Sequence, residues 1–437
     1  MHFGIPNVVF IIALGVTIWF FARNAGKIRR NIFLGKDLDR SDRSADRWRT
    51  MIRVAFGQSK MQARPIAGFF HFIVYAGFIL INIEILEIII DGIFGTHRLF
   101  AEPLGHLYSI AIGFFEILAL FVIIACVVFL LRRNVLKLPR FNMAEMKGWP
   151  FKDANNILYI EIFLMLALLT MNSAEANFEN TITGPFAVSQ FIAPLFEGMN
   201  QPTLHFIERF AWWIHILGIF AFLNYLPFSK HFHIILAFPN TYYSKLDPPT
   251  ELPNNETVTR EVKLMMDPSA DPYANPPEGE AAPERFGAKD VTDLTWVNLM
   301  NAYSCTECGR CTSVCPANMT GKKLSPRKIM MDTRDRLEEV GQNIDANKGS
   351  FVDDGRSLLN DFITPEELWA CTTCNACTEA CPVNIDPVSI IMQMRNYLVM
   401  EESAASQELN LMMTNVENNG APWQFSQMDR ANWTQES

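Results

Sequence analysis

Apolar residues dominate five stretches in the first 238 positions, at about 3–22, 66–90, 107–131, 156–172 and 207–228. At 1.5 Å of rise per residue most of these cross a hydrocarbon core of roughly 30 Å as helices; the fourth is the shortest. The polar segments between them alternate in charge. Arg23 to Arg64 holds twelve Lys and Arg residues and Arg132 to Lys152 holds six, whereas 91–106 holds only Arg98 and 172–207 none. Basic loops stay on the cytoplasmic side, so the N-terminus is expected outside and everything after Lys230 inside. A signal peptide is the alternative for the first stretch, but no basic region precedes it and a basic one follows.

Beyond residue 238 the pattern changes. Residues 239–285 are rich in Pro and Asn, as in Asp247-Pro248-Pro249 and Asn275-Pro276-Pro277, and read as a linker without apolar period. Helical patterning returns at Val291 to Trp296, Arg327 to Val340 and Ile385 to Met400, and no stretch alternates as a strand. The division is therefore a membrane domain at 1–238, a linker at 239–285, a helical domain at 286–400 and a tail at 401–437. The predicted fold class is all-α: a five-helix transmembrane bundle followed by a small helical domain.

Composition agrees: 49% apolar residues, 19% charged and a mean hydropathy of +0.10 are too apolar for an ordinary soluble chain. A net charge of −9 excludes nucleic acid as a partner, because neutralising phosphates needs a basic surface. Of nine cysteines, eight fall in two runs after residue 300. Cys305, Cys308, Cys311 and Cys315-Pro316 form one; Cys371, Cys374, Cys377 and Cys381-Pro382 form the other. Such spacing suits thiolates on a metal in a reducing compartment better than disulfides. Zinc knuckles use pairs of ligands, whereas each run here is a triplet plus a Cys-Pro, which wraps three corners of an iron–sulfur cubane and leaves the fourth ligand to come from elsewhere. Cys126, in the third apolar stretch, reads as packing.

The runs resemble those of two-cluster ferredoxins, where the fourth ligand comes from the other run. That resemblance implies one [4Fe-4S] cluster on Cys305, Cys308, Cys311 and Cys381, and a second on Cys371, Cys374, Cys377 and Cys315. The segments Tyr303 to Cys311, Leu324 to Lys328 and Trp369 to Cys374 further resemble the α-helical ferredoxin module of the C-type heterodisulfide reductase proteins and their respiratory relatives, over about 286–400.

Histidines supply a second candidate centre. On one continuous helix His215 and His233, eighteen residues apart, share a face about 27 Å apart along the axis. His71 lies near the cytoplasmic start of the second stretch, at the depth expected for His233. An imidazole in lipid needs a reason, and ligation of haem iron by two neutral histidines supplies one. Trp213-Ile214-His215 through His233 is similar to the last helix of the respiratory nitrate reductase gamma subunit, and Phe70-His71 to that family's second helix, which implies haem b on His71 and His233. The family's other ligand position on the second helix falls at Ile81, which cannot bind iron, and His106 lies at the wrong depth to replace it. One haem is therefore expected, and His215 stays open between a second haem, a quinone contact and a hydrogen-bonded core residue. His231 is expected at the interface in solvent, and His97, His106 and His205 at the surface. Glu84, Glu87 and Asp91 form a stripe opposite His71, read as an outer helix end at Asp91 and as quinone proton carriers or interhelical hydrogen bonds at Glu84 and Glu87.

Together these features point to an electron-transfer subunit in the bacterial inner membrane. It joins the quinone pool, through haem b, to a soluble oxidoreductase through two [4Fe-4S] clusters. No nucleotide fingerprint is present, so substrate chemistry falls to a partner. A scaffold or redox sensor without quinone chemistry is the rival. The tail, with Trp423 and Trp433, resembles the connector that in fused relatives leads to the CCG domain of the B-type heterodisulfide reductase proteins. It implies docking of a separately encoded CCG-domain protein of that type.

Overall fold

A computed structural model describes residues 4–179, 184–248, 250–252, 254–269 and 285–435. Five helices are long and apolar enough to cross a membrane: α1 (Ile5–Ile32), α2 (Pro65–Phe94), α3 (His106–Leu130), α4 (Trp149–Glu175) and α5 (Gln201–Tyr225). A π-helical turn extends α3 to Val135, and a 3-10 turn extends α5 to Phe228. The fourth, at 27 residues, remains the shortest of the five but is a full-length span. Local chemistry sets the ends. Proline occupies the first turn of α1, α2, α4 and α5, where its missing N–H costs nothing. The Asn200 side chain caps α5 by accepting from the Thr203 N–H at 2.9 Å, and Gly95, at φ +69°, ends α2.

The five helices pack in chain order as a closed ring: α1 on α2, α2 on α3, α3 on α4, α4 on α5, and α5 back on α1. Gly77 sets the approach of α2 to α3, since a Cβ there would lie 2.5 Å from the Val122 side chain. Large apolar residues on the outer surface, such as Ile12, Phe72, Ile110 and Phe206, are exposed as lipid contact requires.

At the end of the bundle remote from the cysteines, polar groups are buried together. Arg98, on the α2–α3 connection, donates to Glu175 and Asn172 at 2.7 Å each and lies 3.5 Å from Glu84. Asn172 donates to Glu116, which accepts from the Val188 N–H. Glu87 accepts from Tyr108 of α3, so the interhelical hydrogen bond expected as one role for this carboxylate is present; Asp91 caps the connection through the Arg98 N–H. His97, expected at the surface in a plain role, lies 3.6 Å from Glu175. Removing one partner of a buried ion pair leaves its counter-charge uncompensated. Arg98→Ala is therefore expected to cost about 3–5 kcal/mol, read as a large drop in the melting temperature of the detergent-solubilised protein.

Beyond α5 the chain forms α6 (His233–Tyr242), α7 (Glu256–Met266), α8 (Trp296–Ser304), α9 (Pro326–Ala346), α10 (Pro387–Met400) and α11 (Gln407–Asn419), with short helices between. Among the described residues there are only isolated bridges and no strand, as the sequence predicts. Helix α7 occupies the stretch read as a linker, nucleated by the Asn255 side chain accepting from the Val258 N–H at 3.2 Å. Pro249 and the Asn275-Pro276-Pro277 run lie outside the described residues. One hydrophobic core runs continuously from Phe10 of α1 to Leu398 of α10. Helix α1 reaches the cysteine-bearing domain directly, where Asn31 donates to the Tyr303 hydroxyl at 2.9 Å and Lys27 pairs with Asp345 at 2.8 Å.

A single helix carrying both His215 and His233 does not form. Pro227 cannot continue the α5 hydrogen-bond ladder, and Ser229 is extended at φ −125°, ψ 149° before a new turn leads into α6. The two histidines sit on different helices, and their shared-face spacing does not apply.

Candidate functional site

The two cysteine runs fold identically, 66 positions apart, counting Cys305 to Cys371. Glu307 and Thr373 are both left-handed, at φ +53° and +54°, as are Gly309 and Asn375, at +70° and +57°. The chain then enters matching short helices, Arg310–Val314 and Ala376–Ala380, which end at Cys315 and Cys381. Gly309 takes this left-handed φ without strain, as Asn375 does in the second run, and a Cβ there would also lie 2.6 Å from a guanidinium nitrogen of the buried Arg327.

The two short helices pack against each other, and this exchanges the last cysteine of each run. Cys381 lies with Cys305, Cys308 and Cys311, whose thiols act electrostatically on one another. Cys315 lies with Cys371 and Cys377, and Cys374 neighbours Cys371. Cys305, Cys308, Cys311, Cys377 and Cys381 border one cavity, and none of the nine cysteines is in a disulfide. Burial, reinforced by the neighbouring thiols, pushes Cys305 and Cys377 up to about 12 and Cys381 up to about 11. Crowding thiols this way is unfavourable unless cations take the charge, which fits an iron–sulfur cluster. Backbone donors are already aimed at sulfur: Thr373 N–H at Cys371 (3.4 Å) and Ile385 N–H at Cys381 (3.3 Å).

The first cysteine loop is gripped from the membrane side. Arg310 donates to the Lys60 carbonyl at 2.8 Å, Arg64 to the Ser313 hydroxyl at 2.6 Å, and the buried Arg327 to the Arg140 carbonyl and, at 2.7 Å, to Glu145. Lys60 and Arg64 precede α2, and Arg140 and Glu145 lie between α3 and α4; the first connection bonds the loop directly, and the second bonds Arg327 of α9 and packs against Gly309 of the loop. Cys374, in the second loop, is exposed.

His71, His231 and His233 come together where this loop meets the bundle. The His231 and His233 rings are 5.4 Å apart, and His233 acts electrostatically on both others. His231 is not solvated as expected: it is largely buried, 3.9 Å from Glu161 and against the Phe222 ring. Burial holds His231 near 3 and His233 below its usual range, so both are neutral at pH 7, the form that binds metal. His233 Nδ1 donates to the Lys230 carbonyl at 3.1 Å, which leaves Nε2 for a ligand, and buried His71 Nδ1 has no hydrogen-bond partner. A cavity lined by Phe129, Ile157 and Leu158, with Arg132 and Arg133 beside it, adjoins His231, His233 and Thr306. The apolar wall and the two arginines are the chemistry that a haem ring and its propionates would require, but His71 does not border this cavity. His215, fully buried on α5, donates from Nδ1 to the Leu164 carbonyl at 2.9 Å and keeps an unpartnered Nε2. Ile81, at the position where the resemblance asks for an opposing ligand, is plain core. Lys230, Glu307 and Arg327 lie inside the stretches that carry the resemblances, but nothing in the sequence marks them as contacts between the cysteine domain and the bundle.

Five bilayer-length helices fastened to a helical module with two paired cysteine runs define a membrane-anchored iron–sulfur protein. Residues 304–385 match the model of a 4Fe-4S dicluster domain. The chain is similar over 98% of its length to a probable iron-sulfur-binding oxidoreductase, FadF, of Bacillus subtilis (28% identical, 61% of that protein). It is similar over 99% to an EtfAB:quinone oxidoreductase of Syntrophomonas wolfei (26% identical, 58% of that protein). Over 33% of the chain it is similar to the D-type component of the dihydromethanophenazine:CoB–CoM heterodisulfide reductase of Methanosarcina mazei (29% identical, 35% of that protein). The chain thus spans about three-fifths of the length of the first two relatives. No solved structure matches it significantly.

Proposed function

We propose that this chain conducts electrons between the quinone pool of a bacterial inner membrane and a soluble oxidoreductase. In this reading the membrane domain is 1–238, the dicluster domain 286–400 lies in the cytoplasm, and the N-terminus is outside, as the basic loops favour. Cys305, Cys308, Cys311 and Cys381 hold one [4Fe-4S] cluster, Cys371, Cys374, Cys377 and Cys315 the other, and His71 and His233 hold haem b; His215 is left to a second haem or a quinone. These groups, when bound, supply one-electron transfer.

The observation that carries the reading is the asymmetry of the two loops. The loop of Cys305 to Cys311 is fastened to the first basic membrane connection through Arg310, packs at Gly309 against Arg140 of the second, and adjoins the His233 cavity, while Cys374 faces solvent. Electrons thus have a membrane-side cysteine set and an outward one. The relative named for EtfAB and quinone supports quinone as the membrane substrate and an EtfAB-type protein as a soluble partner. A CCG-domain protein is the second partner; Trp423 and Trp433 are exposed and available to dock it. In liposomes, menaquinol is expected to bleach the cluster absorbance of the purified chain anaerobically. Clusters that dithionite reduces but menaquinol does not would overturn the quinone assignment and favour a scaffold or sensor.

A further inference from the structure

Lys230 touches both candidate centres at once. Its backbone lies in the turn between α5 and α6, which Asp153 of α4 holds by accepting from Tyr225, from Ser229 at 2.7 Å and from the Lys230 N–H at 3.1 Å. Its carbonyl accepts from His233 Nδ1, fixing the orientation of that imidazole. Its ammonium runs the other way, donating to the Pro150 carbonyl at 2.6 Å and pairing with Glu307. Glu307 lies between Cys305 and Cys308 in the left-handed bend of the membrane-side loop, and its other oxygen accepts from Arg334 of α9 at 2.8 Å. The side chains of Lys230, Glu307 and Asp153 are 8%, 2% and 2% exposed, so this bridge is screened little by water or salt.

We propose that Lys230 is a positioning residue that sets the reduction potential of the centre on Cys305, Cys308, Cys311 and Cys381 through Glu307, and locks that loop in register with His233. The inference rests on the cysteine ligation proposed above. A cubane gains one negative charge on reduction, and a buried unit charge beside its loop changes the work of adding it. With Lys230 in place the Glu307 carboxylate faces two cations, Lys230 and Arg334. Without it, Glu307 and Asp153 lose a shared cation and the loop becomes more negative, which disfavours the reduced state. Neutralising Glu307 does the reverse. The two substitutions therefore act with opposite signs, which loosening of the fold cannot imitate.

The test is a redox titration of the full-length, cluster-loaded protein, followed by electron paramagnetic resonance, for Lys230→Met, Lys230→Arg and Glu307→Gln. Lys230→Met is expected to lower the ratio of reduced to oxidised membrane-side cluster about tenfold at fixed potential, about 59 mV for one electron. Glu307→Gln is expected to raise it, Lys230→Arg to restore the original value, and the Cys374-side cluster to move much less. Unmoved potentials, shifts of the same sign in Lys230→Met and Glu307→Gln, or equal shifts in both clusters would overturn the proposal. If Lys230→Met does not assemble, the sign of the Glu307→Gln shift decides alone. Absence of both cluster signals from the unaltered chain would overturn the ligation itself, a result distinguishable from intact signals at unmoved potentials.

Discussion

Replacing Cys381 with serine is expected to destroy or strip to three irons the cluster built on Cys305, Cys308 and Cys311, while the cluster on Cys371, Cys374 and Cys377 survives. The reason is geometric. Each C-x2-C-x2-C run presents three sulfurs, and the packing of helices Arg310–Val314 and Ala376–Ala380 hands the fourth sulfur across. Cys381 stands among the first three cysteines, and Cys377 borders the same cavity. Iron content should fall by up to about half, with one of two reduced-cluster signals lost in electron paramagnetic resonance. Cys315→Ser should remove the other signal. Loss confined to the Cys371 cluster in Cys381→Ser would show that each run keeps its own fourth cysteine.

The second large effect is expected from His233→Ala, which should abolish the absorbance of low-spin haem b in the purified protein. His233 is oriented by the Lys230 carbonyl, is neutral through burial, and lies near His71, whose Nδ1 lacks a hydrogen-bond partner. His71 and His233 would each supply one of the two nitrogens that hold a low-spin haem b, so removing either would abolish that spectrum. His231 is the rival, because its ring is 5.4 Å from that of His233. His231→Ala is expected to keep the haem. A protein that loses haem with His231→Ala and keeps it with His233→Ala would transfer the axial role to His231.

Much of this was legible along the chain, because the signals concerned are local. Bilayer-length apolar runs and proline-led starts depend on neighbours a few residues away, so all five spans were recognisable, although the fourth proved longer than its apolar stretch. The cysteine spacing likewise dictates loop shape: two runs with the same spacing adopt the same pair of left-handed bends. The fifth span was misread where a periodicity argument met a proline. Projecting His215 and His233 onto one face assumes an unbroken helix, and Pro227 with the extended Ser229 breaks it.

The sequence by itself determined that this protein has five membrane-length helices, two metal-suited cysteine triplets each followed by a Cys-Pro, and no strand-forming segment. Backbone hydrogen bonding within each segment satisfies itself, so these features need no distant partner. Which cysteines and histidines meet depends on packing between distant segments, and along the chain it could be read only through resemblance to known families. The exchange of Cys315 and Cys381, the gathering of His71, His231 and His233, and the reach of Lys230 to Glu307 join residues up to 162 positions apart, counting His71 to His233. Burial drives such meetings. Lys230, Asp153 and Glu307 are charges that the interior tolerates only together, and no local pattern records which partner will arrive from another segment.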